Sequence, residues 1–327
     1  MKAFNTKLLT LAASLAIAGT SAYASGFQHG FVVDPEGKAL EIGIWYPSQV
    51  AALPMQMGPT TMSVAVNGQI QGTALPLVMM SHGSGGSFLG HFDTAIALAD
   101  AGFVVAAVTH TGDNYADQSR SVDIMDRPRQ ISRVTDHMLT SWNGRTSIDP
   151  TRIGMFGFSA GGFTTLASIG GVPEFSKIAP MCRQYPGDFA CQLLAKSSHS
   201  VAPSVAASVA DARFKTAVVA APALGFTFAP DGLKNINVPV QLWRAENDML
   251  VPHPRYAEAV RLALPHAPDY HVVPGAGHFD FLAPCSKALA ALAPAICASA
   301  PEFDRDAFHV SFNAAVVAFF RKTLTTH

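Results

Sequence analysis

Short apolar runs alternate with helical stretches along most of the chain. Helical stretches are predicted at 92–101, 127–140, 162–169 and 256–264. The apolar runs are rich in Val, Ile or Phe, are bounded by Gly, Pro or Asp, and are typical of buried strands: 77–80, 103–108, 153–158, 216–220 and 238–243. This alternation predicts an α/β fold with a mostly parallel central sheet, helices on both faces, and ligand chemistry at the carboxyl ends of the strands. Residues 41–45 and 61–66 could add antiparallel edge strands.

The stretch 172–212 breaks the alternation. It contains two cysteines, several Ser and Ala residues and pieces of helical length, between one strand–helix unit and the next strand. We interpret it as a cap or lid insertion over the carboxyl edge of the sheet. Residues 25–327 are accordingly predicted to form one domain.

The first 24 residues have the layout of a secretory signal. Lys2 and Lys7 precede an apolar stretch at 8–18, and Ala22 and Ala24 frame a small-residue exit. The apolar stretch has about half of the roughly 20 residues that a membrane-spanning helix needs. We therefore predict cleavage after Ala24, a secreted or periplasmic location, and no stable membrane anchor after cleavage.

The four cysteines all follow the predicted signal. In an oxidising compartment an even number points to disulfides, and four cysteines allow three connectivities. The local pairing is the simplest. A zinc site is disfavoured, because neither Cys-x-x-Cys spacing nor paired histidines occur nearby, and no metal is predicted. The local pairing joins these residues: Cys182 to Cys191 and Cys285 to Cys297.

Charge excludes one class of partner. The chain has 22 Lys and Arg against 23 Asp and Glu, a formal net charge of -1, and only 14% of its residues are charged. Nucleic acid binding through a broad phosphate-neutralising face needs many basic contacts, so no nucleic acid partner is predicted. With 49% hydrophobic residues, disorder is excluded for most of the chain.

A G-x-S-x-G motif occupies residues 157–161, between the predicted strand 153–158 and a helical stretch. In a nucleophile elbow the chain turns so tightly from strand to helix that flanking glycines are needed, and the serine is left exposed above the sheet. Ser159 is therefore predicted to be a nucleophile.

A serine hydroxyl needs a base, and the base needs an orienting acid. In this type of fold the chain order is Ser, acid, His. His278 lies in a glycine-rich loop after the apolar run 271–273, and Asp248 lies just beyond the strand 238–243. Glu246 competes for the acid role, but it lies nearer the strand, so Asp248 is preferred.

The loop at 81–86 is the candidate for an oxyanion hole, which needs two backbone donors. Its glycines allow close approach, and we assign the donors to the N–H groups of Ser84 and Ala160. A phosphate cradle is disfavoured because no Lys follows in Walker spacing. His82 is expected to brace this loop, and Asp113 with Asn114 are further candidates to face the site.

Four segments together resemble an α/β-hydrolase: 81–86, 102–108, 149–162 and 277–279. More narrowly they resemble exported dienelactone-hydrolase-like proteins and platelet-activating-factor acetylhydrolases. Dienelactone hydrolases carry cysteine where this chain has Ser159, which argues against that named substrate. The resemblance spans roughly residues 38–282 and implies a Ser-His-Asp esterase for short-chain or lipid-like esters. The cysteine-containing insertion is not covered by it.

The sequence therefore favours a carboxylic ester hydrolase that forms an acyl-enzyme on a small-molecule ester and needs no cofactor. Two alternatives stay open. A serine peptidase of the prolyl-oligopeptidase type shares the triad order, although such enzymes normally carry a large extra domain. A catalytically silent binding module could use the same scaffold, although such proteins usually lack a triad residue.

Overall fold

A ten-stranded mixed sheet runs through the computed structural model, which describes residues 24–196 and 208–324. In space the strand order is β10-β9-β8-β7-β5-β6-β2-β1-β4-β3. The strands from β10 to β6 are parallel, whereas β1 and β2 are antiparallel to each other and β2 is antiparallel to β6. The mostly parallel sheet predicted from the sequence is confirmed. The strands are β1 Ala24–Val32, β2 Leu40–Ser48, β3 Leu53–Met57, β4 Thr60–Val66, β5 Leu75–Ser81, β6 Val104–Thr109, β7 Ile148–Phe158, β8 Phe214–Ala220, β9 Val240–Ala245 and β10 Asp269–Val273.

Helices cover both faces of this sheet. One face packs against α2, α3 and α6, and the other against α1 and α9. In the described part of the chain the helices are α1 Phe92–Asp100, α2 Asp126–Thr140, α3 Ala160–Ser168, α4 Ile178–Gln184, α5 Phe189–Lys196, α6 Ala257–Ala263, α7 Lys287–Leu292, α8 Pro294–Cys297 and α9 Arg305–Thr323.

The central strands are apolar on both sides because each side faces a helical layer. In β5, Leu77 and Met79 join the core under α2 and α3, whereas Val78 and Met80 join the core under α1 and α9. All four side chains are buried. This two-sided burial explains the continuous apolar runs that marked the strands in the sequence.

Two parts of the fold were not indicated by the sequence pattern. The first is the pair of strands β1, which lies between β2 and β4, and β3, which lies at the edge of the sheet. The second is the 19-residue helix α9, whose Phe312, Val316 and Phe320 are buried against the sheet.

Residues 172–196 and 208–212 are the described parts of the predicted insertion, and the first of them contains α4 and α5. A disulfide between Cys182 and Cys191 joins these helices, and a second one, Cys285–Cys297, closes the segment that holds α7 and α8. These are the two local pairings favoured by the sequence. Residues 197–207 and the predicted signal, apart from Ala24, lie outside the described residues.

No helix in residues 24–196 or 208–324 has the length and apolar character needed to cross a membrane. Within the same residues, no group of three or more His, Cys, Asp or Glu side chains is placed to hold a metal ion.

Candidate active site

Ser159 stands at a tight turn between β7 and α3. Its backbone has φ 55° and ψ -117°, a left-handed conformation that a residue other than glycine rarely adopts. A Cβ atom on Gly157 would lie 2.1 Å from the carbonyl oxygen of Gly161, and one on Gly161 would lie 1.9 Å from that of Ser81. The motif glycines are therefore required for the strand and helix to approach this closely, as a nucleophile elbow demands.

A chain of hydrogen bonds connects Ser159, His278 and Asp248. The Ser159 Oγ lies 3.0 Å from His278 Nε2, and His278 Nδ1 lies 2.7 Å from Asp248 Oδ2. Since a carboxylate only accepts, Nδ1 carries the hydrogen and Nε2 accepts the serine hydroxyl hydrogen. The three predicted residues are thus brought together in the arrangement by which an imidazole activates a serine hydroxyl.

Asp248 and Glu246 have separate partners. The second oxygen of Asp248, Oδ1, accepts hydrogen bonds from the backbone N–H groups of Leu250 at 2.9 Å and Val251 at 2.8 Å, which fixes the carboxylate. Glu246 instead accepts the N–H of Gly275 at 2.9 Å in an exposed position. This geometry favours Asp248 as the acid that orients His278.

The loop of residues 81–86, called here the oxyanion loop, passes directly beside the serine. A Cβ atom on Gly83 would lie 3.2 Å from the Ser159 Cβ. Ser84 in this loop and Ala160 at the start of α3 line the same small cavity. The structure therefore places both predicted oxyanion donors at one site, and the N–H of Ala160 also belongs to a helix N-terminus, which favours negative charge.

A buried arginine–aspartate pair is hydrogen-bonded to the backbone of the oxyanion loop. Arg127 on α2 contacts Asp113 Oδ2 at 2.7 Å, and its Nη1 donates to the carbonyl oxygen of His82 at 2.6 Å. Asp113 Oδ1 in turn accepts the N–H of Gly85 at 3.0 Å. Asp113 and Asn114, the further candidates to face the site, are both buried: Asp113 is engaged by Arg127, and Asn114 donates to the carbonyl oxygen of His110.

Two neutral histidines complete this support. The N–H of His110 donates to His82 Nε2 at 2.9 Å, so His82 Nδ1 carries hydrogen and donates to the Gly83 carbonyl oxygen at 2.6 Å. His110 Nε2 contacts Ser81 Oγ at 2.8 Å. Burial, followed by the nearby charge of Arg127, holds the pKa of both histidines well below the ordinary value of 6.5. His82 thus braces the loop, as expected from the sequence.

A second arginine–aspartate pair lies behind the loop at residues 274–282, called here the His278 loop. Asp280 Oδ2 accepts the N–H of Gly277 at 2.7 Å, and Asp280 Oδ1 accepts Nε of Arg305 at 3.0 Å. Arg305 also donates to the carbonyl oxygens of Ile296 at 3.0 Å and Ala298 at 3.2 Å. The pair therefore connects the His278 loop to the disulfide-closed segment.

His309 on α9 adds a further contact to the His278 loop. Its Nε2 lies 2.9 Å from the Asp280 carbonyl oxygen, and its Nδ1 lies 2.6 Å from Asp93 Oδ2. Burial raises the pKa of Asp93, but the hydrogen bond and charge of His309 outweigh burial and leave that pKa below its ordinary value. The side chains that support the His278 loop thus include Asp280, Arg305 and His309, none of which was predicted as a site residue.

Helices α4 and α5 of the predicted cap contribute to the lining of the small cavity beside Ser84 and Ala160. This cavity, called here the cap cavity, has a volume of about 50 Å³. The hydroxyl of Tyr256 donates to Asp188, and Arg255 pairs with the same carboxylate at 3.3 Å, which ties the start of α5 to the main domain. No charged side chain is among the described residues that line the cap cavity, and its apolar lining comprises Val122, Ile124, Phe175, Ile178, Phe189, Ala190, Leu193, Leu194, Ala223 and Leu224.

Comparisons with known proteins find similarity to a family model and to solved structures. Residues 44–125 match the family model of platelet-activating factor acetylhydrolase, isoform II. The ferulic acid esterase from Streptomyces cinnamoneus is similar in structure, with a TM-score of 0.64 and 19% sequence identity, over 94% of this chain and 92% of that chain. No curated protein matches the sequence. The chain has the α/β-hydrolase fold, as the resemblance implied.

Proposed function

We propose that the protein is a serine hydrolase that cleaves carboxylic esters through an acyl-enzyme. The observation that carries this proposal is the hydrogen-bond chain from Asp248 through His278 to Ser159 at the elbow. The matched family is an acetylhydrolase and the similar structure is an esterase, which supports an ester as the substrate.

In the proposed mechanism Ser159 Oγ attacks the ester carbonyl while His278 Nε2 takes its proton. The N–H groups of Ser84 and Ala160 stabilise the negative oxygen of the tetrahedral intermediate. His278 then gives its proton to the departing alkoxide, and the alcohol leaves. Water, activated by the same imidazole, hydrolyses the acyl-enzyme, while Asp248 keeps the imidazole in its productive tautomer.

Short acyl groups are the proposed acyl part of the substrate. The cap cavity has a volume of about 50 Å³, far below the roughly 300 to 1,000 Å³ that is usual for small-molecule sites. A cavity of this size leaves room for a few heavy atoms beside the oxyanion donors. The two disulfides support an oxidising, extracytoplasmic location, which agrees with the signal predicted over residues 1–24.

The test combines covalent labelling with an ester series. The purified, oxidised protein should react with a fluorophosphonate probe at Ser159 and hydrolyse p-nitrophenyl acetate faster than the octanoate. Ser159→Ala should lose the label and lower kcat by at least about 10⁴-fold. Ser311→Ala, at an exposed position on α9, serves as the matched control and should keep both properties.

Three outcomes would overturn the proposal. Undiminished hydrolysis by Ser159→Ala would place the reaction elsewhere. Faster turnover of aminoacyl nitroanilides than of esters would indicate the peptidase alternative. Failure of the properly oxidised protein to react with the probe or with any ester would indicate a binding module.

A further inference from the structure

A second and much larger apolar depression is lined by the end of the oxyanion loop, at Gly85 and Gly86. This side groove has a volume of about 640 Å³, within the range of roughly 300 to 1,000 Å³ that is usual for small-molecule sites. Its lining has three main parts: residues 85–90, called here the floor, residues 57–61, called the first wall, and residues 282–296, which contribute the second wall. The mechanism proposed above does not use this groove.

The walls of the side groove are joined to each other and to the floor. Ser286 Oγ donates to the Pro59 carbonyl oxygen at 2.5 Å, which connects the two walls. The N–H of Ala283 donates to the carbonyl oxygen of Gly90 at 3.0 Å. The disulfide Cys285–Cys297 closes the second wall, so the groove is preformed rather than assembled by a ligand.

The side groove and the cap cavity are lined by different parts of the catalytic machinery. Ser84 and Ala160, the oxyanion donors, line the cap cavity, whereas Gly85, Gly86 and Leu282 line the side groove. Leu282 is the residue at the end of the His278 loop. In a Ser-His mechanism the imidazole protonates the leaving alcohol, so the alcohol departs on the imidazole side.

We infer that the side groove binds the alcohol part of the ester and the cap cavity binds its acyl part. This inference rests on the proposed function and adds the substrate class: an ester of a short acyl group with a bulky apolar alcohol. The reaction consumes one water molecule, which supplies the hydroxyl of the acid, and the alcohol leaves with the proton from His278.

The lining of the side groove defines the chemistry of that alcohol. Phe88, Leu289 and Ile296 present apolar surface within it, and Leu292 is 76% exposed on its rim. Among the described lining residues Glu41 carries the one charge, and its carboxylate already contacts His29 Nε2 at 2.9 Å. Because no Lys or Arg is among these described residues, the groove fits an uncharged alkyl or aryl alcohol and offers no partner for a phosphate group.

Two ester series separate the two sites. In the first the acyl group is always acetyl and the alcohol is ethanol, 1-octanol or 1-naphthol. In the second the alcohol is always ethanol and the acyl chain lengthens from acetate to octanoate. The variant Leu289→Ser/Leu292→Ser removes apolar surface from the groove, and Leu262→Ser removes a leucine that is 69% exposed on α6, outside the groove, as the matched control.

In the groove variant we expect KM for octyl and naphthyl acetate to rise by about tenfold, because uniform binding of the alcohol is lost. The kcat values, KM for ethyl acetate and the profile of the second series should stay unchanged. The control should leave every constant unchanged, and equal melting temperatures show that all variants fold.

The same KM increase for ethyl acetate, or no increase for octyl acetate, would overturn the inference while leaving the proposed function intact. A protein that neither reacts with the fluorophosphonate nor hydrolyses any ester would overturn both. An acetate ester whose alcohol part is a glycerophospholipid should show a KM at least about tenfold above that of octyl acetate. A KM equal to that of octyl acetate would overturn the assignment to uncharged alcohols.

Discussion

The oxyanion loop and the His278 loop are each held by a buried arginine–aspartate pair, yet the two pairs belong to different parts of the chain. Arg127 extends from α2, which packs on the central sheet, and donates directly to a carbonyl oxygen of the oxyanion loop. Asp280 lies within the His278 loop itself, and its partner Arg305 begins α9.

The two loops therefore differ in the part of the molecule that stabilises them. The oxyanion loop depends on the packed core under α2, which no covalent cross-link supports. The His278 loop depends on Arg305, which also donates to Ile296 within the disulfide-closed segment and to Ala298 next to it. We therefore expect substitutions of the buried charged residues to affect the oxyanion loop, and loss of the Cys285–Cys297 disulfide to affect the His278 loop.

The largest expected effect follows from Arg127→Met, because it leaves the carboxylate of Asp113 buried without its partner. Removal of one partner of a buried pair costs about 3 to 5 kcal/mol, so the free energy of unfolding should fall by that amount in urea denaturation. The kcat for p-nitrophenyl acetate should fall by about 10²-fold, the loss expected when an oxyanion donor is displaced.

A double variant separates stability from positioning. Arg127→Met/Asp113→Leu replaces the pair by apolar side chains and should recover much of the free energy of unfolding. It should not recover kcat, because the hydrogen bond to the His82 carbonyl oxygen stays absent. Recovery of kcat together with stability would contradict a positioning role for Arg127.

The sequence predicted the residues whose roles are encoded by local patterns. Ser159 is marked by glycines that only a tight turn requires, and His278 and Asp248 follow strands in the expected chain order. The mostly parallel sheet follows from apolar runs that are buried on both faces. The two disulfides join cysteines that are close in the sequence, which made their pairing the simplest one.

The supports of the site could not be predicted in the same way. Arg127 and Arg305 are single residues of a common type, and their partners lie 14 and 25 positions away, so no local spacing marks the pairs. Helix α9 has buried phenylalanines within a segment of mixed polarity. Asp113 follows a strand, as a site residue would, and only the packing of α2 shows that it pairs with Arg127.

The two disulfides offer the next test, since they close loops of similar length in different segments of the chain. The Cys285→Ala/Cys297→Ala and Cys182→Ala/Cys191→Ala variants should each lose about 2.5 to 3 kcal/mol of unfolding free energy in the chain-entropy model. Their kinetics should differ. The first should lower kcat for all esters through Arg305, and the second should change KM for the longer acyl chains through the cap cavity.

Each disulfide variant is the control for the other. Similar losses of stability, measured by urea denaturation of the two proteins, would ensure that the kinetic difference does not arise from stability alone. If both variants changed the same kinetic constant to the same extent, the assignment of one disulfide to the His278 loop and the other to the cap cavity would be wrong.

The smallest expected effect is a pH dependence that belongs to the oxyanion side. His82 and His110 are neutral in the folded protein because burial lowers their pKa well below 6.5. Below about pH 6.5 the unfolded chain binds protons that the folded protein does not, so the free energy of unfolding should decrease as the pH falls. Each histidine adds a slope of up to about 1.4 kcal/mol per pH unit.

The variant His110→Gln tests this dependence. It should reduce the slope of the unfolding free energy between pH 6 and 5 by the contribution of one histidine, up to about 1.4 kcal/mol per pH unit, as measured by urea denaturation at each pH. An equal slope in both proteins would show that the oxyanion loop does not depend on a neutral His110, and the contrast between the two loops would then rest on the arginine–aspartate pairs alone.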